Sequence, residues 1–126
     1  MGSSCSVLLV DDEPLVLESL ARMLRRYGFR VEVVGNGREG LERAMTLRPD
    51  WVISDVRMPV MDGPTMVRAM RERGFTGPRI AFLSGYNDLT TEQYRALGVE
   101  CMLAKPASTG QLLALLRSEG SNAPGG

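Results

Sequence analysis

The chain has 126 residues, 44% of them apolar and 24% charged, which fits one globular domain with one core. Lys plus Arg number 15 and so do Asp plus Glu, so there is no electrostatic footprint for nucleic acid or an anionic membrane. Histidine is absent, which removes Ser-His-Asp and Cys-His catalysis and most zinc sites; carboxylates, hydroxyls and lysine are left to do any chemistry.

Residues 1–5 carry no signal peptide and read as an N-terminal extension. Val7, Leu8, Leu9 and Val10 make a continuous apolar run, the mark of a strand buried on both faces of a parallel sheet. The predicted strand, Ser6 to Val10, ends in Asp11-Asp12-Glu13. Pro14 opens a helix, as proline does at a first helical position. Val16, Leu20, Met23, Leu24 and Tyr27 recur at helical spacing on its inner side, and Gly28 stops it. Phe29 to Val34 is predicted as the second strand. Asn36 and Glu39 resemble a capping pair for the next helix, whose inner face is Leu41, Ala44 and Met45. Pro49 lies just past its end.

Trp51 to Ser54 reads as a buried third strand, with Asp55 just beyond it and a Pro-marked loop behind. Met61-Asp62-Gly63-Pro64 is turn and helix-start chemistry, and Met66, Val67 and Met70 face inward on the helix that follows, closed by Gly74. A fourth strand runs from Arg79 to Leu83 and ends in Ser84-Gly85. Asp88 to Leu97 is a weakly amphipathic helix. A fifth strand, Val99 to Ala104, ends in Lys105-Pro106. Ser108 and Gln111 fit a capping box, and Leu112, Leu115 and Leu116 supply the last inner stripe. Residues 120–126 read as a flexible tail. Cys5 and Cys101 lack Cys-x-x-Cys spacing, so two buried, reduced thiols in a cytoplasmic protein are expected. No apolar run approaches the ~20 residues that span a bilayer.

Five strand–helix units alternate without exception. The fold class is therefore α/β, a doubly wound parallel sheet with right-handed crossovers and helices on both faces. In such a sheet the strands' carboxyl ends share one edge, where ligands bind. Asp11 and Asp12, Asp55, Ser84 and Lys105 all fall there. Taken singly, each has a plainer reading. Asp12 or Glu13 would cap a helix, Asp55 and Ser84 would start turns, and Lys105 would be a surface lysine. None of these explains why all of them sit on one edge. Phosphoryl transfer to a carboxylate needs this set: an aspartate nucleophile, acids for Mg²⁺, and a lysine and a hydroxyl around the transferred group.

Val10-Asp11-Asp12-Glu13, Asp55-Val56-Arg57-Met58-Pro59-x-Met61-Asp62-Gly63, Leu83-Ser84-Gly85 and Lys105-Pro106 resemble the receiver domains of two-component response regulators, over residues 6–119. The resemblance implies a flavodoxin-like five-stranded sheet of order 2-1-3-4-5. It implies that Asp55 is the phosphoacceptor. Mg²⁺ would be held by Asp12 and Asp55, by Asp11 through water, and by the Arg57 backbone carbonyl. Lys105 would pair with the phosphoryl group and Ser84 would move to hydrogen-bond it. The Lys105–Pro106 bond would be cis. The implied partner is a histidine kinase or histidine phosphotransfer protein, with phosphorylation switching the face formed by the fourth helix, fifth strand and fifth helix. A phosphorylation-dependent dimer is an assembly this allows. The module would be a phosphoacceptor rather than an enzyme with turnover on other molecules, either stand-alone or part of a longer hybrid kinase or regulator. Met102 stands where the family often has an aromatic residue, and Ala107 where it often has Phe. Tyr86 is the alternative switch element. Two other readings stay open: a binding-only receiver module, and a small Mg²⁺-dependent aspartyl-phosphate phosphatase.

Overall fold

The computed structural model describes residues 5–85 and 88–118. Its elements in chain order are β1 (Ser6–Val10), α1 (Pro14–Arg26), β2 (Arg30–Val34), α2 (Gly37–Leu47), β3 (Trp51–Asp55), α3 (Gly63–Glu72), β4 (Arg79–Ser84), α4 (Thr91–Ala96), β5 (Cys101–Ala104) and α5 (Thr109–Leu116). The strands form one five-stranded parallel sheet of order β2-β1-β3-β4-β5. This is the flavodoxin-like order implied above.

The continuous apolar strands bury both faces of the sheet, and period-two alternation divides them between two cores. Val7 and Leu9 of β1 join Trp51, Ile53, Ala81 and Leu83 under Leu17, Ala21 and Leu24 of α1 and Leu112 and Leu116 of α5. Leu8 and Val10 join Val52, Ile80 and Phe82 under Leu41 and Ala44 of α2 and Met66, Val67 and Met70 of α3. Helix ends follow the side chains expected of them. Asn36, Asp62 and Ser108 each accept the N–H three residues on, and Ser108 and Gln111 complete a capping box. Glu39 reaches the N–H of Gly35 at 3.4 Å, so the Asn36–Glu39 pair is displaced by one residue from a capping box.

Several predicted boundaries move. Tyr27 leaves the inner stripe: α1 ends at Arg26, and Tyr27 is 50% exposed with Arg117 over its ring. Phe29 stays out of β2 because its N–H closes the end of α1 on Leu24. Val99 likewise bonds back to Tyr94, so β5 begins at Cys101. Asp55 and Ser84 become the last residues of β3 and β4, paired with Leu83 and Ala104. The predicted Asp88–Leu97 helix shrinks to Thr91–Ala96, because Thr90 and Gln93 form a capping box that starts it later. This helix has no buried residue, which accounts for its weak pattern. Arg71 of α3 ties down its far end, donating to the carbonyls of Leu97 (3.0 Å) and Gly98 (3.2 Å). A side chain at Gly98 would meet that guanidinium, and its φ of +81° favours glycine as well.

The two thiols are free but half-buried rather than buried: Cys5 precedes β1 and Cys101 opens β5, with β3 and β4 between those strands. Burial pushes both thiols up; Asp50 adds to this at Cys5 and Glu100 at Cys101, and Arg79 opposes it at each. Near pH 8 both should therefore alkylate with iodoacetamide severalfold more slowly in the native protein than in urea, as two separate free cysteines. A disulfide joining them in the folded monomer would contradict the strand order.

Candidate functional site

The sheet register builds the site. Val10, Ser54, Phe82 and Met102 lie level across β1, β3, β4 and β5. One residue further on, Asp11 leaves β1 beside Asp55, the last residue of β3. Ser84 ends β4 one residue later again, and Lys105 follows β5. The Lys105 N–H donates to the carbonyl of Ser84 at 2.8 Å, and the Lys105–Pro106 bond is cis.

Lys105 is the hub. Its Nζ donates to Asp55 Oδ2 at 3.1 Å, to Asp11 Oδ2 at 3.2 Å and more distantly to Glu13 Oε1 at 3.5 Å. An ammonium has three protons, so the three carboxylates use its donor capacity fully. Asp11 and Asp55 are buried, while Asp12 is exposed, and one carboxylate oxygen from each lies within 4.8 Å of the others. The other Asp11 oxygen, Oδ1, accepts the N–H of Glu13 at 3.0 Å. Neither Asp12 nor Glu13 caps α1 with its side chain: Glu13 holds the cap position without a side-chain bond. The capping alternative for these acids therefore falls away.

The loop after β3 folds tightly against the site. The Gly63 N–H donates to the Val56 carbonyl at 2.9 Å, and a Cβ on Gly63 would sit 2.5 Å from the Asp55 carbonyl oxygen. Only glycine lets α3 start this close to the strand carrying Asp55. The Ser54 hydroxyl donates to that same carbonyl at 2.8 Å inside the core.

Burial pushes the Asp55 carboxyl above its usual range; the Lys105 ammonium pulls it down without prevailing, and the Asp11 charge adds to the rise. Burial also works against the charge on Lys105, but its bonds to Asp55 and Asp11 outweigh that and hold the ammonium protonated. Hard oxygen donors clustered with excess negative charge are the donor set that Mg²⁺ takes, so the residues fit that ion.

A doubly wound sheet of this strand order, with acids from β1 and β3 and a lysine from β5 converging on its carboxyl edge, defines the class of fold and site. The chain matches the family model of the response regulator receiver domain over residues 7–117, and it belongs to that family. It is 37% identical to the response regulator MprA of Mycolicibacterium vanbaalenii, over 89% of this chain and 48% of that protein. It is 38% identical to the transcriptional regulatory protein PrrA of Mycobacterium leprae, over 96% of this chain and 54% of that one. The chain thus spans about half the length of the curated relatives it matches. Among solved structures, the chemotaxis response regulator CheY4 of Vibrio cholerae superposes with a TM-score of 0.82 at 33% identity, covering 90% of this chain and 97% of that one. The receiver domain of NarL from Mycobacterium tuberculosis gives 0.80 at 25% identity, over 94% and 100% of the two chains.

Of the residues singled out in the sequence, Asp11, Asp12, Asp55 and Lys105 come together as one cluster. Arg57 is exposed, and its guanidinium turns away to Asp88 at 2.7 Å. Ser84 is buried, and its hydroxyl donates to Asp88 Oδ2 at 2.6 Å. Met102 is half-buried and packs on the core beneath α2 and α3. Tyr86 lies outside the described residues. Asp88 was not legible as a site residue: no local motif marks a carboxylate four residues past Ser84 that pairs across to Arg57. The Ser84 hydroxyl and then Arg57 hold the Asp88 carboxyl below its usual range.

The raised Asp55 carboxyl has a consequence for stability without metal. The folded state holds the Asp55 proton to higher pH than the unfolded chain does, so its contribution is full below the ordinary carboxylate range. It is lost as pH rises through the raised value. Urea midpoints from pH 4 to 7 should show Asp55→Asn gaining on the wild type as pH rises. A constant difference across that range would mean that burial does not control this carboxyl.

Proposed function

We propose that this chain is a signalling module phosphorylated on Asp55 by a histidine kinase or histidine phosphotransfer protein. The observation that carries the reading is the convergence of Asp55, Asp11 and Lys105 within hydrogen-bond distance, with Asp12 beside them. A carboxylate oxygen of Asp55 attacks phosphorus. The P–N bond of a phosphohistidine breaks, its electron pair leaves on the imidazole nitrogen, and a P–O bond to Asp55 forms. Lys105, already on Asp55 Oδ2, follows the charge onto the phosphoryl oxygens. Asp12 and Asp55, with Asp11 through water and the Arg57 carbonyl, would hold Mg²⁺, which when bound offsets the charge of the acids and of the transferred group. Hydrolysis of the acyl phosphate returns the carboxylate, so the module catalyses only its own phosphorylation and dephosphorylation.

The Ser84 hydroxyl moves to the phosphoryl group, and α4, β5 and α5 present the change to a target or to a second copy. Met102 on β5 and Tyr86 are the switch elements of this reading. The family of the chain and the complete acid and lysine set support it over a binding-only module. The curated relatives are about twice as long as the stretch this chain matches, and the switched face is what a separate target or an adjoining domain would read. The module acts in the cytoplasm; among the described residues no helix is long and apolar enough to cross a membrane.

Incubation with phosphoramidate and Mg²⁺ should add one phosphoryl group, located at Asp55 by peptide mapping after borohydride reduction. Lys105→Ala should slow its addition by roughly a hundredfold, the order seen when one charge-stabilising donor is removed. A stoichiometric acyl phosphate still forming in Asp55→Asn would refute the assignment.

A further inference from the structure

Asp88 stands between two residues that the phosphorylation reading uses and is tied to both. Its Oδ2 accepts the Ser84 hydroxyl at 2.6 Å, and its Oδ1 accepts Nε of Arg57 at 2.7 Å. The Asp88 side chain is 6% exposed and the Arg57 side chain 76%, so the carboxylate is the fixed member and the guanidinium covers it from solvent. Each oxygen has its own donor, and both bonds involve an ionised partner, which makes them strong.

The Ser84 side chain carries one hydroxyl proton. While that proton points at Asp88, the hydroxyl cannot also donate to an oxygen on Asp55. Ser84 ends β4 one residue past Leu83, the register partner of Asp55, so once Asp55 carries a phosphoryl group two acceptors compete for one donor. We infer that Asp88 is a positioning residue that holds Ser84 back, so that phosphorylation must exchange the Ser84–Asp88 bond for one to the phosphoryl group. The inference rests on Asp55 being the phosphoacceptor.

Arg57 strengthens the restraint. It follows Asp55 by two residues, so one ion pair links the chain leaving β3 to the segment entering α4. After the exchange Asp88 keeps Arg57 alone. The other end of α4 stays fastened to α3 through Arg71. No residue of α4 is fully buried and Tyr94 is its contact with the core, so changing one end tie while the other holds would turn the helix about its Leu97 end.

The test is a time course of phosphorylation by phosphoramidate with Mg²⁺, read by intact mass, for wild type, Asp88→Ala, Asp88→Asn, Ser84→Ala and the double variant Ser84→Ala/Asp88→Ala. Asp88→Ala should react about fivefold faster than wild type, because the hydroxyl is released. Asp88→Asn keeps an oxygen acceptor and should fall between the two. In the Ser84→Ala background, removing Asp88 should change the rate less than twofold, since there is no hydroxyl left to restrain. Without any phosphate donor, the Ser84 amide resonance of Asp88→Ala should shift toward its position in wild type bound to beryllofluoride. The inference is overturned if Asp88→Ala reacts at or below the wild-type rate, or if it accelerates the Ser84→Ala protein equally. If wild type itself gains no phosphoryl group at Asp55, the phosphoacceptor reading fails first, and that result is visible without any Asp88 variant.

Discussion

Three carboxylates, from Asp11, Glu13 and Asp55, share one ammonium, Lys105, at the carboxyl edge of the sheet, and Asp12 lies beside Asp11 and Asp55. Two ionised carboxylates 4.8 Å apart repel by about 3 kcal/mol at an effective dielectric near 20, and Asp11 and Asp55 are both buried. Lys105 opposes this more strongly than Asp11 adds to it, and burial is what leaves the Asp55 carboxyl raised. The remainder of the fold has to hold these groups together against the cost of burying their charge. Like charges gathered this closely cost stability, the trade found at functional sites.

The holding is done by the sheet. β1 and β3 are buried nearly throughout, with helices packed on both sides, so their ends cannot spread without exposing the two cores. The register then fixes which residue emerges where: Asp55 level with Leu83, and Ser84 level with Ala104 just before Lys105. Gly63 adds a local constraint, since its missing side chain is what lets the start of α3 close over the Asp55 backbone. On the other flank the fold is looser. The six-residue α4 has no buried residue and meets the core through the partly buried Tyr94; Arg71 holds it at one end, and the segment containing Asp88 at the other. Rigidity on the acid side and weak attachment on the α4 side are what a switch at this edge needs.

Much of this was legible in the residues. Continuous runs such as Val7 to Val10 gave the doubly buried strands, and Ser108 with Gln111 gave a helix start to the residue. Asp11, Asp12, Asp55 and Lys105 were placed on one edge by topology alone, because in a parallel sheet every strand ends on the same side. Helical periodicity does not say where a helix stops: α1 stops one residue before Tyr27, which falls outside the inner stripe. α4 was overextended for the opposite reason: without buried positions there was no stripe to read, although Thr90 and Gln93 repeat the capping pattern recognised at Ser108. The Ser84–Asp88–Arg57 ties were not legible at all, since they depend on side-chain directions across a loop and not on spacing.

If these acids are assembled for a divalent cation, the free energy of urea unfolding will respond as Mg²⁺ is raised, and it can be compared between the wild type and Asp12→Ala. A site that binds the ion only when folded gains about 1.4 kcal/mol at ten times its dissociation constant. The wild type should show such a gain, and Asp12→Ala little or none. Equal stabilisation of both proteins, or none in the wild type, would contradict it.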